Sequence, residues 1–335
     1  MKIIKQNKLA IGILLLLSAA SVTSEIYADT QEVETVTIIG TKADVKELPG
    51  SGTVVSNEEL QKAMDTDIHK ILSAVPGVYF RTEDGYGLRP NISIRGTSID
   101  RSAKITLMED GILVAPAPYT SSSAYYFPTT GRINSVEVLK GPSAISQGPS
   151  TIGGAINLIS TPIPEVSSGK LIQEFGQNGM TRTHAFYGGT SGNFGGLVEI
   201  HDHASDGYDS IANVGGDTGF DKSDVVIKAR YESGNHSLTF KMVDLDETSN
   251  QSYVGLSQAS FKANPRMRYG ATAYDKMMND GEQTSLTYVG NFDNFDVVFT
   301  SFKADTRSLL SVVVRVVKLP MLLIKSELFF FKKST

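Results

Sequence analysis

Two hydrophobic periods divide this chain. Near residue 70 the apolar positions recur at helical spacing. Ile68, Ile71, Leu72 and Val75 fall on one face, and Pro76-Gly77 closes the segment. A shorter helix is predicted just before it. It opens at Ser56 with Glu59 three residues on, the spacing of a capping box. Short β-rich runs follow at residues 78–80, 91–95, 104–109, 135–140 and 155–160. Asp110-Gly111 stands between "KITLME" and "ILVA", which predicts a two-residue hairpin. These elements predict one compact α+β domain over residues 43–165.

Past Gly169 the helical period is gone. Runs at 170–175, 183–188, 196–203, 224–232, 236–245, 284–290 and 295–303 alternate in polarity. In "DVVIKARY", Val225, Ile227, Ala229 and Tyr231 share one face while Lys228 and Arg230 share the other, as strand geometry requires. A soluble sandwich has the same alternation, so the connections decide. "TSGN", "SGN" and "FDN" are tight turns, and long polar loops at 205–223 and 246–282 lie between them. Short turns on one rim and long loops on the other are the plan of an antiparallel transmembrane barrel. Residues 166–307 are therefore read as barrel strands, too few to close a barrel on their own. From Ser308 the alternation fails. Pro320 and the interior charges Arg315, Lys318, Lys325 and Glu327 argue against a spanning helix. Residues 308–335 are read as aberrant sequence, such as a shifted frame, with a genuine amphipathic tail as the alternative.

The other end supplies a compartment. Lys2, Lys5 and Lys8 precede the apolar "LAIGILLLLSAA", and "IYA" ends at Ala28. Residues 1–28 therefore read as a secretory signal peptide. The chain has no cysteine, which excludes disulfides and thiolate metal sites. A net charge of −5 gives no reason to expect a nucleic-acid partner.

"VEVLKGPSAISQGPSTIGGAINLIS", from Val136 to Ser160, carries Gly141, Gly148, Gly153 and Gly154. Gly148 and Gly153 have Walker spacing, but Gly154-Ala155 stands where Lys-Ser/Thr is needed, and a strand follows instead of a helix. A phosphate loop is excluded. The glycines are expected to form tight turns where backbone closely approaches backbone. His201 and His203 share a strand face but have no third ligand nearby, so they are read as lumen-facing side chains and no metal site is assigned. No nucleophile and base can be paired. No enzyme activity or cofactor is expected.

"NISIRGTS", "ITLMEDGILVAPAPYTSSSAYYFP", "INSVEVLKGPSAISQGPSTIGGAINLIST" and the leading "ETVTI" together resemble the plug of TonB-dependent outer-membrane receptors, most of all the ferric dicitrate and siderophore receptors. The resemblance implies an α+β plug inside a β-barrel of about 22 strands. The implied activity is uptake of a ferric chelate across the outer membrane, with outer-membrane lipid around the barrel. Glu34, Thr35, Val36, Thr37 and Ile38, in segment 29–42, would be the TonB box. It would add a strand to periplasmic TonB. Arg95 in "SIRG" and Lys140 in "VLKG" match basic plug positions that pair with barrel glutamates in the family. Those glutamates are expected beyond Arg307. Arg89, Arg101, Tyr119, Ser121 and Ser123 would face the ligand. Serines stand where the dicitrate receptors carry glutamines, which places citrate itself in doubt. The alternative reading is a non-transporting binding unit or the remnant of a disrupted receptor gene.

Overall fold

The computed structural model describes residues 37–39, 42, 44–48, 50–63, 65–114, 127–148, 151–252, 254–292 and 295–311, with two short strands at 313–314 and 326–327. Residues 1–28, read as a signal peptide, and most of 308–335, read as aberrant, lie outside the described residues.

The first unit is built on a five-stranded sheet. Its strands are β1 (Ser51–Val55), β4 (Ile105–Glu109), β5 (Ile112–Leu113), β6 (Ile133–Lys140) and β7 (Gly154–Ser160), in the order β1-β6-β7-β4-β5. Only β4 and β7 run parallel. A separate hairpin joins β2 (Val78–Arg81) to β3 (Asn91–Ile94). Helix α1 (Asn57–Ala63) begins as its capping box dictates, with Ser56 N–H donating 2.9 Å to the Glu59 carboxylate. Helix α2 (Ile68–Ser73) is capped by Asp67, which accepts from His69 N–H at 2.9 Å. The predicted face is buried: Ile68, Ile71, Leu72 and Val75 pack with Ile92, Ile105, Val136, Val138, Ile156 and Leu158 in one core. The Asp110-Gly111 turn closes the β4–β5 hairpin with φ of 49° and 75°, the left-handed pair that a two-residue turn of this kind demands.

The glycine run forms turns. Gly141, Gly148 and Gly154 all have positive φ. At Gly154, φ is 150°, and a Cβ would strike the Leu139 carbonyl oxygen on β6. A backbone carbonyl inside a sheet cannot move aside. Gly154→Ala should therefore cost more than the roughly 1–3 kcal/mol of backbone strain alone. Thermal unfolding of the purified variant measures it, and a midpoint equal to the parent's would contradict the close approach.

The second unit is a seven-stranded antiparallel sheet. Its strands are β8 (Ser168–Phe175), β9 (Thr181–Ser191), β10 (Phe194–Ser205), β12 (Phe220–Ser233), β13 (His236–Ser249), β15 (Lys276–Phe292) and β16 (Phe295–Ser311), each paired with its neighbour in this series. All the predicted runs are strands, most of them extended at both ends. The last one passes Arg307, where the sequence reading stopped, because Lys276 to Asn279 continue the ladder opposite it. Turns at 192–193 and 234–235 join strands on one rim. The long connections leave the other rim. They contain β11 (Ser210–Ile211), α3 (Gln258–Ala263) and β14 (Met267–Arg268), and β11 and β14 pair in parallel. Among the described residues the sheet does not close, and β8 and β16 are its edges.

The faces of this sheet settle its solvent. On β12 the buried positions are Phe220, Lys222, Asp224, Val226, Lys228 and Arg230. The outward positions include Val225, Ile227 and Tyr231. Elsewhere on that face Leu171, Phe194, Leu238, Phe240, Leu286 and Phe299 are exposed. A water-soluble sheet would bury the second set and expose the first. A wall with charges inside and apolar groups outside is stable only in lipid. Two aromatic pairs, Phe194–Tyr231 and Phe292–Phe295, each with ring centroids 4.9 Å apart, mark the short-turn rim as an interfacial girdle.

Candidate functional site

The charged inner face of the wall meets the plug in one buried network. Glu109 ends β4 and Asp110 opens the hairpin turn, so two carboxylates leave the sheet side by side. Arg132, which immediately precedes β6, grips Glu109 with both guanidinium nitrogens, at 2.7 and 3.0 Å, and its Nε donates 3.0 Å to Asp224 on β12. Lys241 on β13 reaches across, 2.7 Å from Glu109 and 2.5 Å from Asp110. Lys228 lies 3.8 Å from Asp110 and donates 2.7 Å each to Ser160 Oγ and the Thr161 carbonyl. Arg132, Glu109 and Asp224 are essentially without solvent access. Burial by itself would raise the Glu109 carboxyl. The charges of Arg132 and Lys241 outweigh it and hold that carboxyl down at about 2. Burial also opposes ionisation of Asp110, and Lys241 and Lys228 overcome it, so this carboxyl too lies below the usual carboxylate range. The arrangement locks plug to wall through charges that neither partner could bury alone.

At the long-loop rim the plug and the loops enclose a cavity of about 350 Å³. Its floor is the β2–β3 connection. The Asp84 carboxylate shapes it by accepting backbone N–H groups of Tyr86, Gly87, Leu88 and Arg89, at 2.6 to 3.2 Å. Tyr208 descends from the loops and its hydroxyl donates 3.2 Å to the Asp84 carbonyl. Tyr86 packs on Phe220 with ring centroids 4.7 Å apart. Asp209, Arg268, Asn250 and Gln251 add to the polar lining.

The sequence-selected residues fall unevenly on these two sites. Arg89 lines the cavity, but its guanidinium is buried against Glu247 of β13. Arg101 is paired with Glu83 at 2.8 Å. Both cations are thus compensated by protein carboxylates. Tyr119, Ser121 and Ser123 lie outside the described residues, as do Glu34, Thr35 and Val36. Thr37 is exposed, and Ile38 is half-buried. Lys140 donates to Thr53 Oγ1 at 3.0 Å and the Pro76 carbonyl at 3.1 Å, both within the plug. Burial, and then the nearby Arg95 charge, push its ammonium down. Arg95 forms no ion pair with a wall residue among the described residues. His201 faces inward and is buried beside Gly131, where a Cβ would meet the imidazole, and its ring lies 5.7 Å from that of His184. His184 contacts Glu199 at 2.8 Å. The lock itself, Glu109, Asp110, Arg132, Lys228 and Lys241, was not selected from sequence.

Comparison with known proteins agrees with this architecture. Residues 44–155 match the family model described as the TonB-dependent Receptor Plug Domain. The matched residues are the plug, which is held inside a wall that is charged within and apolar without. Among curated proteins the chain is similar to the vitamin B12 transporter BtuB of Photobacterium profundum, at 26% identity over 64% of this chain and 35% of that protein. It is also similar to BtuB of Vibrio vulnificus, at 28% identity over 48% of this chain and 26% of that protein. The chain thus spans about a third or less of these relatives. Among solved structures the unliganded ferric citrate transporter FecA superposes with a TM-score of 0.68 at 21% identity, over 82% of this chain and 42% of that one. The ferric yersiniabactin uptake receptor FyuA of Yersinia pestis gives 0.67 at 22% identity, over 78% of this chain and 42% of that one. These structural likenesses concern the fold.

Proposed function

We propose that this chain is the plug and leading wall of a receptor that takes up a metal chelate or corrinoid from outside the cell. The plug–wall lock carries this reading. Lys228 and Lys241, buried on the wall, take Asp110 and Glu109 of the plug as their acidic partners. The ligand would enter at the long-loop rim and rest on the floor shaped by Asp84. TonB would pair with the segment from Glu34 to Ile38 and draw on the plug, and the energy would come from the partner. The chain itself needs no cofactor for this.

The cavity bears on the ligand. Arg89 and Arg101 are neutralised by Glu247 and Glu83, and Arg268 stands with Asp84 and Asp209 in the lining. Such a floor suits a weakly charged ligand better than a multiply anionic ferric dicitrate. A vitamin B12-like ligand matches that charge balance, and vitamin B12 is the ligand named for the similar BtuB proteins.

Val36→Pro tests the partner. Proline removes a backbone donor and blocks strand addition. Capture of the chain by immobilised TonB periplasmic domain should be lost in this variant and retained by the parent. Equal capture of both would refute the box. The open sheet favours a second reading, a unit that binds ligand or TonB without transporting. Uptake by a receptor-deficient strain carrying only this chain separates the two.

A further inference from the structure

A string of rings lines the wall between two cavities. It starts in the cavity at the long-loop rim, where the Tyr208 and Tyr86 rings lie 5.4 Å apart. Tyr86 packs on Phe220 of β12, and Phe220 meets His203 of β10 edge to face at 4.8 Å. His201 follows on the same face of β10, its ring 6.2 Å from His203. Across the ladder on β9 comes His184, and Phe186 lies 6.1 Å further on. His184 and Phe186 line a second cavity, of about 450 Å³, between α1 of the plug and strands β8 and β9. On β10 the string runs from Ser205, opposite Phe220, to Glu199, opposite Phe186. That is a descent of roughly 20 Å along the strand toward the short-turn rim.

The plug closes this string at His201. A Cβ on Gly131 would strike the imidazole, so plug backbone and wall ring touch with nothing between them. His201 is 1% exposed, yet neither ring nitrogen has a hydrogen-bond partner, and nor does Thr129 Oγ1 two residues before Gly131. Buried polar atoms left unpaired add nothing to the hold of plug on wall. Below this point Thr161 Oγ1 donates 2.6 Å to Glu199, a neutral donor that water can replace. In the second cavity the buried Arg182 leaves its Nε unpaired. The charged lock lies to one side, on β12 and β13, and can stay closed while this seam parts.

We propose that the seam between Gly131 and the rings of β9 and β10 is the path of the ligand, and that the cavity below it is a second, inner binding site. The inference rests on the uptake reading and deepens it. It also restricts the ligand's chemistry. Rings presented in succession favour a ligand with a flat conjugated face, which can leave one stacking partner for the next. The unpaired nitrogens of His201 and Arg182 give such a ligand polar contacts at the narrowest point and on arrival. A weakly charged corrinoid with amide side arms meets both requirements.

The absence of cysteine allows single labels to follow that passage. A fluorophore on Val254→Cys reports the outer cavity, and one on Ile172→Cys reports the inner. Cyanocobalamin, whose corrin ring absorbs visible light, quenches whichever label it reaches. In the full chain in detergent, the outer label should be quenched first and the inner one after a delay. His201→Ala opens the contact and should speed the inner response about tenfold. Gly131→Leu overfills it and should slow that response about tenfold. His203→Leu removes one ring and should slow it severalfold, while His203→Phe should match the parent. Outer quenching equal to the parent's in every variant reports that the plug and its floor remain folded. Quenching at neither label refutes the corrinoid reading, and the path with it. Normal outer quenching, with one inner rate shared by the parent, His201→Ala and Gly131→Leu, overturns the path alone. An inner rate in His203→Leu equal to the parent's removes the rings from it.

Discussion

Replacing Arg132 with leucine should free the plug from its wall. The guanidinium makes a two-pronged contact with Glu109 and a third contact with Asp224, with no solvent at any of them. Leucine approximates the hydrophobic part of the side chain and leaves two carboxylates buried without their cation. Breaking a buried pair in this way costs about 3–5 kcal/mol. Arg132→Lys should recover part of that, since it keeps the charge but loses the planar fork. Limited proteolysis in detergent gives the readout. The plug of Arg132→Leu should be cut at protease concentrations that leave the parent intact, while the wall strands stay protected. Equal resistance of parent and variant would mean that the lock does not hold the plug.

Lys241→Met should be almost as damaging and should also change the response to acid. Lys241 is the cation shared by the adjacent carboxylates Glu109 and Asp110. Without it, two like charges lie side by side in a dry interface. In the parent, Glu109 is held at about 2, against an ordinary value of 4.5. A carboxyl depressed on folding stabilises the folded state fully above its unfolded value. That stabilisation is lost as pH falls toward the folded one. The parent plug should therefore stay docked through mildly acidic conditions and weaken progressively below about pH 4.5 toward pH 2. In Lys241→Met the loss should begin at higher pH, because one of the carboxyls takes up a proton sooner. Thermal midpoints measured across this range give the comparison, and superimposable parent and variant curves would remove Lys241 from the lock.

The features legible in the sequence are those with local causes. Glu59 stands three residues after Ser56, and the capping bond forms. Asp110-Gly111 can take positive φ at both positions, and the hairpin closes there. Val225, Ile227 and Tyr231 alternate with Lys228 and Arg230, and the strand turns those two sets to opposite sides. The lock has no local cause. Lys241 meets Glu109 across 132 positions of sequence, and Arg132 meets Asp224 across 92. No spacing rule connects them. Their one sequence signal was that barrel strands carried lysines on the face opposite their apolar groups, which implied acids somewhere inside. Arg89 illustrates the converse. It looked available for a ligand because its partner, Glu247, lies 158 residues away.

The inward face of the wall also has a consequence for biogenesis. A sheet lined by Lys222, Asp224, Lys228 and Lys241 sets these charges among the apolar Phe220, Val226, Val243 and Leu245 of its concave side, so collapse onto that side in water must desolvate them. In water its uninterrupted apolar surface is the outer one, which drives neighbouring copies together back to back. Correct assembly therefore requires two templates at once, bilayer outside and a stopper of matching charges inside. The order of translation supplies the second before the first is reached.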